Sequence, residues 1–166
     1  MTPPRHTRVA ASPVGPLLLE SDGESLTGIA LPRVGARAPA GAGPGPGPDG
    51  GVLDEAARQL AEYFARERTS FDLPVRPAGT TFQLSVWDEL TRIPYGSTVT
   101  YGELARRVGR PRGPRAVGQA NGRNPVPIVV PCHRVVAANG IGGYSGGLDT
   151  KRLLLALERS SPPGHT

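Results

Sequence analysis

Between residues 6 and 34 apolar and polar positions alternate in short runs, which predicts antiparallel strands at Thr7–Ala11, Gly15–Glu20 and Ser25–Leu31. The Asp22-Gly23 pair inside Ser21–Glu24 is a hairpin signal between two of them. The period then changes. Leu53, Ala56, Ala57, Leu60 and Phe64 recur at helical spacing and predict an amphipathic helix over 52–66. Thr80 with Gln83 three residues on reads as a capping box, followed by an apolar face of Phe82, Val86, Trp87 and Leu90. Ile93-Pro94-Tyr95-Gly96 ends that helix. Thr100 with Glu103 repeats the capping signal, with Val99 and Leu104 placed as a staple, so a helix is expected over 101–108. After Gly109–Gly113, Pro114 suits the first position of a helix over 115–121 closed by Gly122. A last helix puts Leu154, Leu157 and Glu158 on one face, which points the carboxylate inward.

The pattern describes an α/β N-terminal unit, strands plus one helix, over 1–78. A mainly α domain with a helix-turn-helix, winged-helix-like in type, follows over 79–166. Residues 35–51 are almost entirely Gly, Pro and Ala, a composition that cannot repay its ordering entropy, and are expected to form a flexible segment.

Charge sharpens this picture. The formal net charge is +5, and between Arg92 and Arg134 eight arginines face one acid, Glu103, a local excess suited to phosphate. The second helix of the pair reads Arg115-Ala116-Val117-Gly118-Gln119-Ala120-Asn121. Its small residues allow close approach, yet it offers few side chains for reading base edges, as suits minor-groove contact without sequence choice. The single cysteine excludes an intramolecular disulfide. No signal segment or long apolar run is present, so a cytoplasmic protein without a membrane partner is expected. His6, His133 and His165 are too scattered for a metal site, and no cofactor is expected.

The chemistry gathers at Asn124-Pro-Val-Pro-Ile-Val-Val-Pro-Cys132-His133-Arg134-Val135. Three prolines bias the residues before them towards extended backbone, and Ile128-Val129-Val130 suits a buried strand-like feed into Cys132. A free cysteine is most often an inert core residue. Here His133 and Arg134 are adjacent candidates for lowering the thiol pKa, although adjacency alone does not establish contact.

Pro-Cys-His-Arg-Val, preceded by Asn-Pro-Val-Pro and followed by Gly143-Tyr144-Ser145-Gly146-Gly147-Leu148, resembles the O6-alkylguanine-DNA alkyltransferases from about Phe82 to Glu158, and more loosely before that. The resemblance implies direct-reversal DNA repair: one irreversible transfer of an alkyl group from guanine O6 in double-stranded DNA to Cys132, by a monomer that flips the nucleotide out. His133 then matches a base acting through water, Glu158 the group orienting its ring, and Asn124 the residue holding the active-site turn. Tyr101 matches the residue that contacts the flipped base, with Val135, Tyr144 and Ser145 lining its pocket. Arg115 matches the finger that fills the gap in the duplex, and Ala116, Gly118 and Arg123 fall on the DNA-binding face. Pro114 and Leu153 depart from the family pattern, where alanine and a bulky aromatic are expected.

Three other classes stay in view. A non-catalytic lesion-binding relative would lack the acceptor cysteine, a winged-helix regulator would carry a more polar recognition helix, and a Cys-His hydrolase would act without DNA. Alkyl-group preference, O4-alkylthymine activity and cooperativity on DNA remain open.

Overall fold

The computed structural model describes residues 5–32 and 51–160. The Gly/Pro-rich 35–51 segment therefore lies outside the described residues except for Gly51. The chain divides into two compact units, with the division between Pro77 and Ala78.

In the first unit, β1 (His6–Ala10), β2 (Leu17–Ser21) and β3 (Leu26–Ala30) form an antiparallel sheet in the order β1-β2-β3, each within two residues of its expected bounds. Leu17, Leu19 and Ser21 alternate inward along β2, and a bulge falls between Glu20 and Ser21. Asp22 accepts from the backbone N–H groups of Glu24 and Ser25, at 2.9 and 2.8 Å, and Gly23 takes φ +99°, which closes the hairpin at the Asp-Gly pair. The helix α1 (Val52–Phe64) buries Leu53, Ala56, Gln59, Leu60 and Tyr63. Gln59 is buried because both ends of its amide are bonded: Nε2 donates to Asp72 O at 3.0 Å and Oε1 accepts from Asp72 N at 2.9 Å. This stitches the 72–76 strand-like return to the helix.

The second unit is mainly helical: α2 (Thr81–Leu90), α3 (Tyr101–Arg107), α4 (Pro114–Gly122) and α5 (Leu148–Arg159). Thr80 and Gln83 make the full reciprocal capping box. At α3 only half of it forms: Thr100 Oγ1 accepts from Glu103 N at 3.1 Å, while the Glu103 carboxylate pairs instead with Arg107. Pro114 occupies the first turn of α4 after Gly113. A short parallel pair, β4 (Val99–Thr100) with β5 (Val135–Val136), joins the segment before α3 to the segment after Cys132. Val86, Trp87, Leu90, Leu104, Val117, Ala120 and Leu154 are buried in this unit's core.

Trp87 is buried and donates from Nε1 to Ala120 O at 2.8 Å, linking α2 to the helix expected to meet DNA. Trp87→Phe keeps most of the apolar volume but removes that bond and leaves the carbonyl with the Arg123 N–H at 3.2 Å. The second unit should lose roughly 0.5–1.5 kcal/mol of stability, read from urea unfolding. A loss below about 0.5 kcal/mol would show that the bond contributes nothing net.

Candidate active site

The path into Cys132 is not the strand that the apolar Ile128-Val129-Val130 run suggested. Residues 124–131 fold into a tight turn in which Val130 N–H donates to Val126 O and Val129 N–H to Pro127 O, both at 2.9 Å, while Ile128 sits at φ +75°. A β-branched residue in the left-handed region is strained, so burial of Val126, Ile128 and Val130 must hold it there. Asn124 braces the turn from both ends of its amide. Its Nδ2 donates to Val130 O at 2.8 Å and its Oδ1 accepts from Val126 N at 3.0 Å.

Cys132, His133 and Arg134 form one 3-10 turn, and all three are buried. His133 Nε2 lies 2.7 Å from Glu158 Oε2. Arg134 also engages Glu158, with Nε on Oε1 at 2.8 Å and Nη2 on Oε2 at 3.0 Å, while its Nη1 donates to Ile93 O at 2.7 Å and its guanidinium lies over the Tyr95 ring. Gly96 N–H adds a bond to Glu158 Oε1 at 3.3 Å. The carboxylate that the α5 pattern turned inward thus has a fork-on-fork arginine as well as the histidine.

Burial by itself pushes the Glu158 carboxyl up, but hydrogen bonds and charge from His133 and Arg134 outweigh it and hold it down at about 2. His133 is pulled the other way: burial lowers its pKa, and this exceeds the raising effect of Glu158. We therefore take Arg134 as the charge partner of Glu158 and His133 as a neutral imidazole. A neutral ring facing a carboxylate carries its proton on Nε2, leaving Nδ1 as an acceptor. That Nδ1 is buried and has no hydrogen-bond partner among the described residues.

The thiol has different neighbours from those its sequence suggested. Both His133 and Arg134 are turned to Glu158. Burial pushes the Cys132 pKa up, and hydrogen bonds from Asn124 and Tyr144, with the charge of Lys151, act against that. Tyr144 Oη stands 4.0 Å from Sγ. Burial beside the sulfur raises the Tyr144 pKa strongly, so this hydroxyl keeps its proton and stays a donor.

Tyr101, Gly118, Asn121, Gly122, Gly143, Tyr144 and Ser145 line a cavity of about 180 Å³, room for a single planar group rather than a large ligand. The Tyr101 hydroxyl donates to Gly143 O at 3.4 Å, and Ser145 Oγ to Gly122 O at 2.9 Å. Gly118 lies under the Tyr101 ring, where a methyl would stand 3.6 Å from its edge. Val135 is not among the lining residues: its side chain is buried beside Val99 and its carbonyl faces Lys151.

Arg115 and Ala116 are exposed in the first turn of α4, and Arg123 is exposed at its C-cap. The arginine-rich stretch is not uniform. Arg134 belongs to the buried site, Arg92 pairs with Asp88 and Glu89 of α2, and Arg107 with Glu103 of α3. Arg106, Arg110, Arg112, Arg115 and Arg123 remain exposed on the α3–α4 unit.

Two residues escaped the sequence reading. Asn121 is buried and donates from Nδ2 to Cys132 O at 3.2 Å, fixing the reactive residue's backbone. Its spacing of four from Val117 on α4 was the available signal. Lys151 is fully buried, and its sign was its isolation among arginines.

With that geometry in view, the comparisons with known proteins are consistent along the whole chain. The family model described as 6-O-methylguanine DNA methyltransferase, ribonuclease-like domain, matches residues 6–77, and the DNA binding domain of the same name matches 81–160. A methylated-DNA–protein-cysteine methyltransferase of Methanosarcina acetivorans is 48% identical over 155 residues, covering 90% of this chain and 95% of its own length. The protein of that name from Mycobacterium tuberculosis is 46% identical over 159 residues, covering 95% of this chain and 94% of its own. The crystal structure of Mycobacterium tuberculosis O6-methylguanine methyltransferase matches with a TM-score of 0.84 at 43% identity, over 98% of this chain and 97% of that one. Mycobacterium tuberculosis OGT in complex with DNA matches with a TM-score of 0.81 at 45% identity, over 95% of each chain. The chain belongs to the 6-O-methylguanine DNA methyltransferase family.

The site predicts an acid limb of stability. The fold holds Glu158 at about 2 against an ordinary value of 4.5, so its contribution is fully present above pH 4.5 and is lost as pH falls through 2. Glu158→Gln should remove about 3 kcal/mol from the pH dependence over that window. Unfolding free energies of both proteins between pH 2 and 5 check it, and parallel curves would contradict it.

Proposed function

We propose that this protein is a methylated-DNA–protein-cysteine methyltransferase that repairs O6-alkylguanine in double-stranded DNA by one irreversible transfer of the alkyl group to Cys132. The observation that carries this reading is the chain's single cysteine, buried in one turn with a neutral His133 whose Nδ1 is free to take a proton, next to a cavity sized for one base.

The thiol proton passes through a water to His133 Nδ1, and the imidazolium that forms is stabilised by Glu158. The Cys132 sulfur attacks the alkyl carbon, an S–C bond forms, and the C–O6 bond breaks with its electron pair moving onto the guanine. Tyr101, which lines the same cavity, donates a hydrogen bond to the departing base and offsets that charge. The product is a thioether with no hydrolysable bond, so each molecule acts once. No helix among the described residues is long and apolar enough to cross a membrane. A cytoplasmic location is part of this reading.

The alkylated base lies inside the duplex stack, so it must be flipped out at a cost of about a few kcal/mol. The exposed Arg115 at the start of α4 stacks into the gap. Ala116 and Gly118 let that helix approach closely, and Arg123 binds phosphate with the other exposed arginines. Tyr144 and Ser145 line the pocket for the flipped base, while the Val135 carbonyl is held by Lys151 behind it.

Incubation with a duplex containing one O6-methylguanine should add a single methyl to the Cys132 peptide, one per protein molecule, by mass spectrometry. Cys132→Ser should abolish transfer and leave duplex affinity within about twofold, because the exposed arginines carry binding. Continued demethylation by that variant would end the suicide mechanism. Arg115→Ala should slow repair of duplex DNA at least about tenfold more than reaction with free O6-benzylguanine, since only the duplex leaves a gap to fill. Equal losses on both substrates would place Arg115 in the chemistry instead.

A further inference from the structure

Along α4 the exposed long side chains fall at a spacing of four: Arg115 in the first turn, Gln119, and Arg123 at the C-cap. Residues four apart share one helix face, so the three form a single stripe. Cations next to the neighbouring helices are tied down on their own surface, Arg92 to Asp88 and Glu89 of α2 and Arg107 to Glu103 of α3. The α4 stripe is left open. Among the described residues, no hydrogen bond or ion pair engages the side chain of Arg115, Gln119 or Arg123.

Gln119 stands at the rim of the cavity assigned to the flipped base. Gly118 before it and Gly122 one turn on both line that cavity. Between the two arginines, Ala116, Gly118 and Gly122 carry nothing longer than a methyl, while Val117, Ala120 and Asn121 are buried. Gln119 is therefore the only hydrogen-bonding side chain exposed between them. A neutral amide adds nothing to phosphate attraction. It offers a donor and an acceptor side by side. In the minor groove guanine presents the reverse pair, its N3 acceptor beside its N2 amino donor, whereas an A·T pair presents acceptors alone. Oε1 can accept from the amino group while Nε2 donates to N3, and at A·T only the second bond forms.

We propose that Gln119 is a specificity-determining residue, which reads the minor-groove edge of a base pair flanking the lesion and prefers guanine there. This rests on the reading of α4 as the helix that meets DNA and of Arg115 as the group that fills the gap. Four residues rise about 6 Å along a helix, and successive base pairs lie about 3.4 Å apart. With Arg115 in the gap, Gln119 reaches a pair one or two steps away on one side. The small residues around it add no choice of their own, so the preference is confined to that position.

The test uses the full chain and duplexes with one O6-methylguanine, at one fixed salt concentration. Each flanking G·C pair, one or two steps from the lesion, is replaced in turn by inosine·cytosine, which lacks only the amino group. Affinity is measured with Cys132→Ser, so that no transfer intervenes. At one position on one side, loss of the amino group should weaken binding at least about fivefold, the low end for a two-bond contact to a base edge. Supplying the amino group to an A·T pair there, as 2,6-diaminopurine·thymine, should strengthen binding by a similar factor. Adding Gln119→Leu or Gln119→Ala should abolish both differences. The side chain is exposed, and leucine and alanine are good helix formers, so both variants fold. Inosine also loosens the duplex, and the two variants report that effect alone. An amino-group effect of the same size with and without Gln119, or none in any of the proteins, overturns the proposal. If the protein with its cysteine takes no methyl from any duplex while the Gln119-dependent difference in binding is present, the repair reading fails and the base reading stands.

Discussion

The buried pairing of Arg134 with Glu158 is the constraint on which the second unit's chemistry depends. Two charges removed from water are tolerable only with nearly complete hydrogen bonding. Glu158 meets that condition with bonds from Arg134, His133 and Gly96, and Arg134 with its further bond to Ile93 O. These partners come from the 93–96 turn, the reactive turn and α5, so satisfying one carboxylate fixes three segments together. Removing either charge would strand the other, which typically costs about 3–5 kcal/mol.

Burial and this pairing together set the state of the base. The charge of Glu158 raises the His133 pKa, which would favour an imidazolium with nothing to accept a proton, but burial lowers it by more. Arg134 meets that charge, and burial keeps His133 neutral. The imidazole can then respond when the thiol gives up its proton. On the other side of the sulfur, Asn124, Tyr144 and Lys151 favour the thiolate against the burial that opposes it. The thiol is thus balanced between an apolar floor and a few aimed polar groups, with its backbone held by Asn121.

Local signals in the sequence carried most of the fold. The Thr80/Gln83 box, the Asp22-Gly23 hairpin and Pro114 at the start of α4 each rest on a few neighbouring residues, and each formed. The Thr100/Glu103 box formed by half, since Arg107 one turn on competes for the acid. The Ile128-Val129-Val130 run misled because β-branched composition reports burial as well as strand. Here burial alone was real, with Asn124 and the surrounding core holding Ile128 in a left-handed turn. Arg134 and Lys151 were illegible for a different reason. Charge counting treats every cation as surface, and only the three-dimensional course of α5 brings Glu158 under Arg134 and Lys151 under two carbonyls.

His133 is a neutral base, protonated on Nε2 and open on Nδ1, because burial disfavours its charged form while Arg134 balances Glu158. Long-range proton–nitrogen correlation spectra of protein labelled with nitrogen-15 at histidine report tautomer and charge directly. At pH 7 the account predicts one buried imidazole in the neutral Nε2–H form. A buried imidazolium, or a ring protonated on Nδ1 alone, would contradict it.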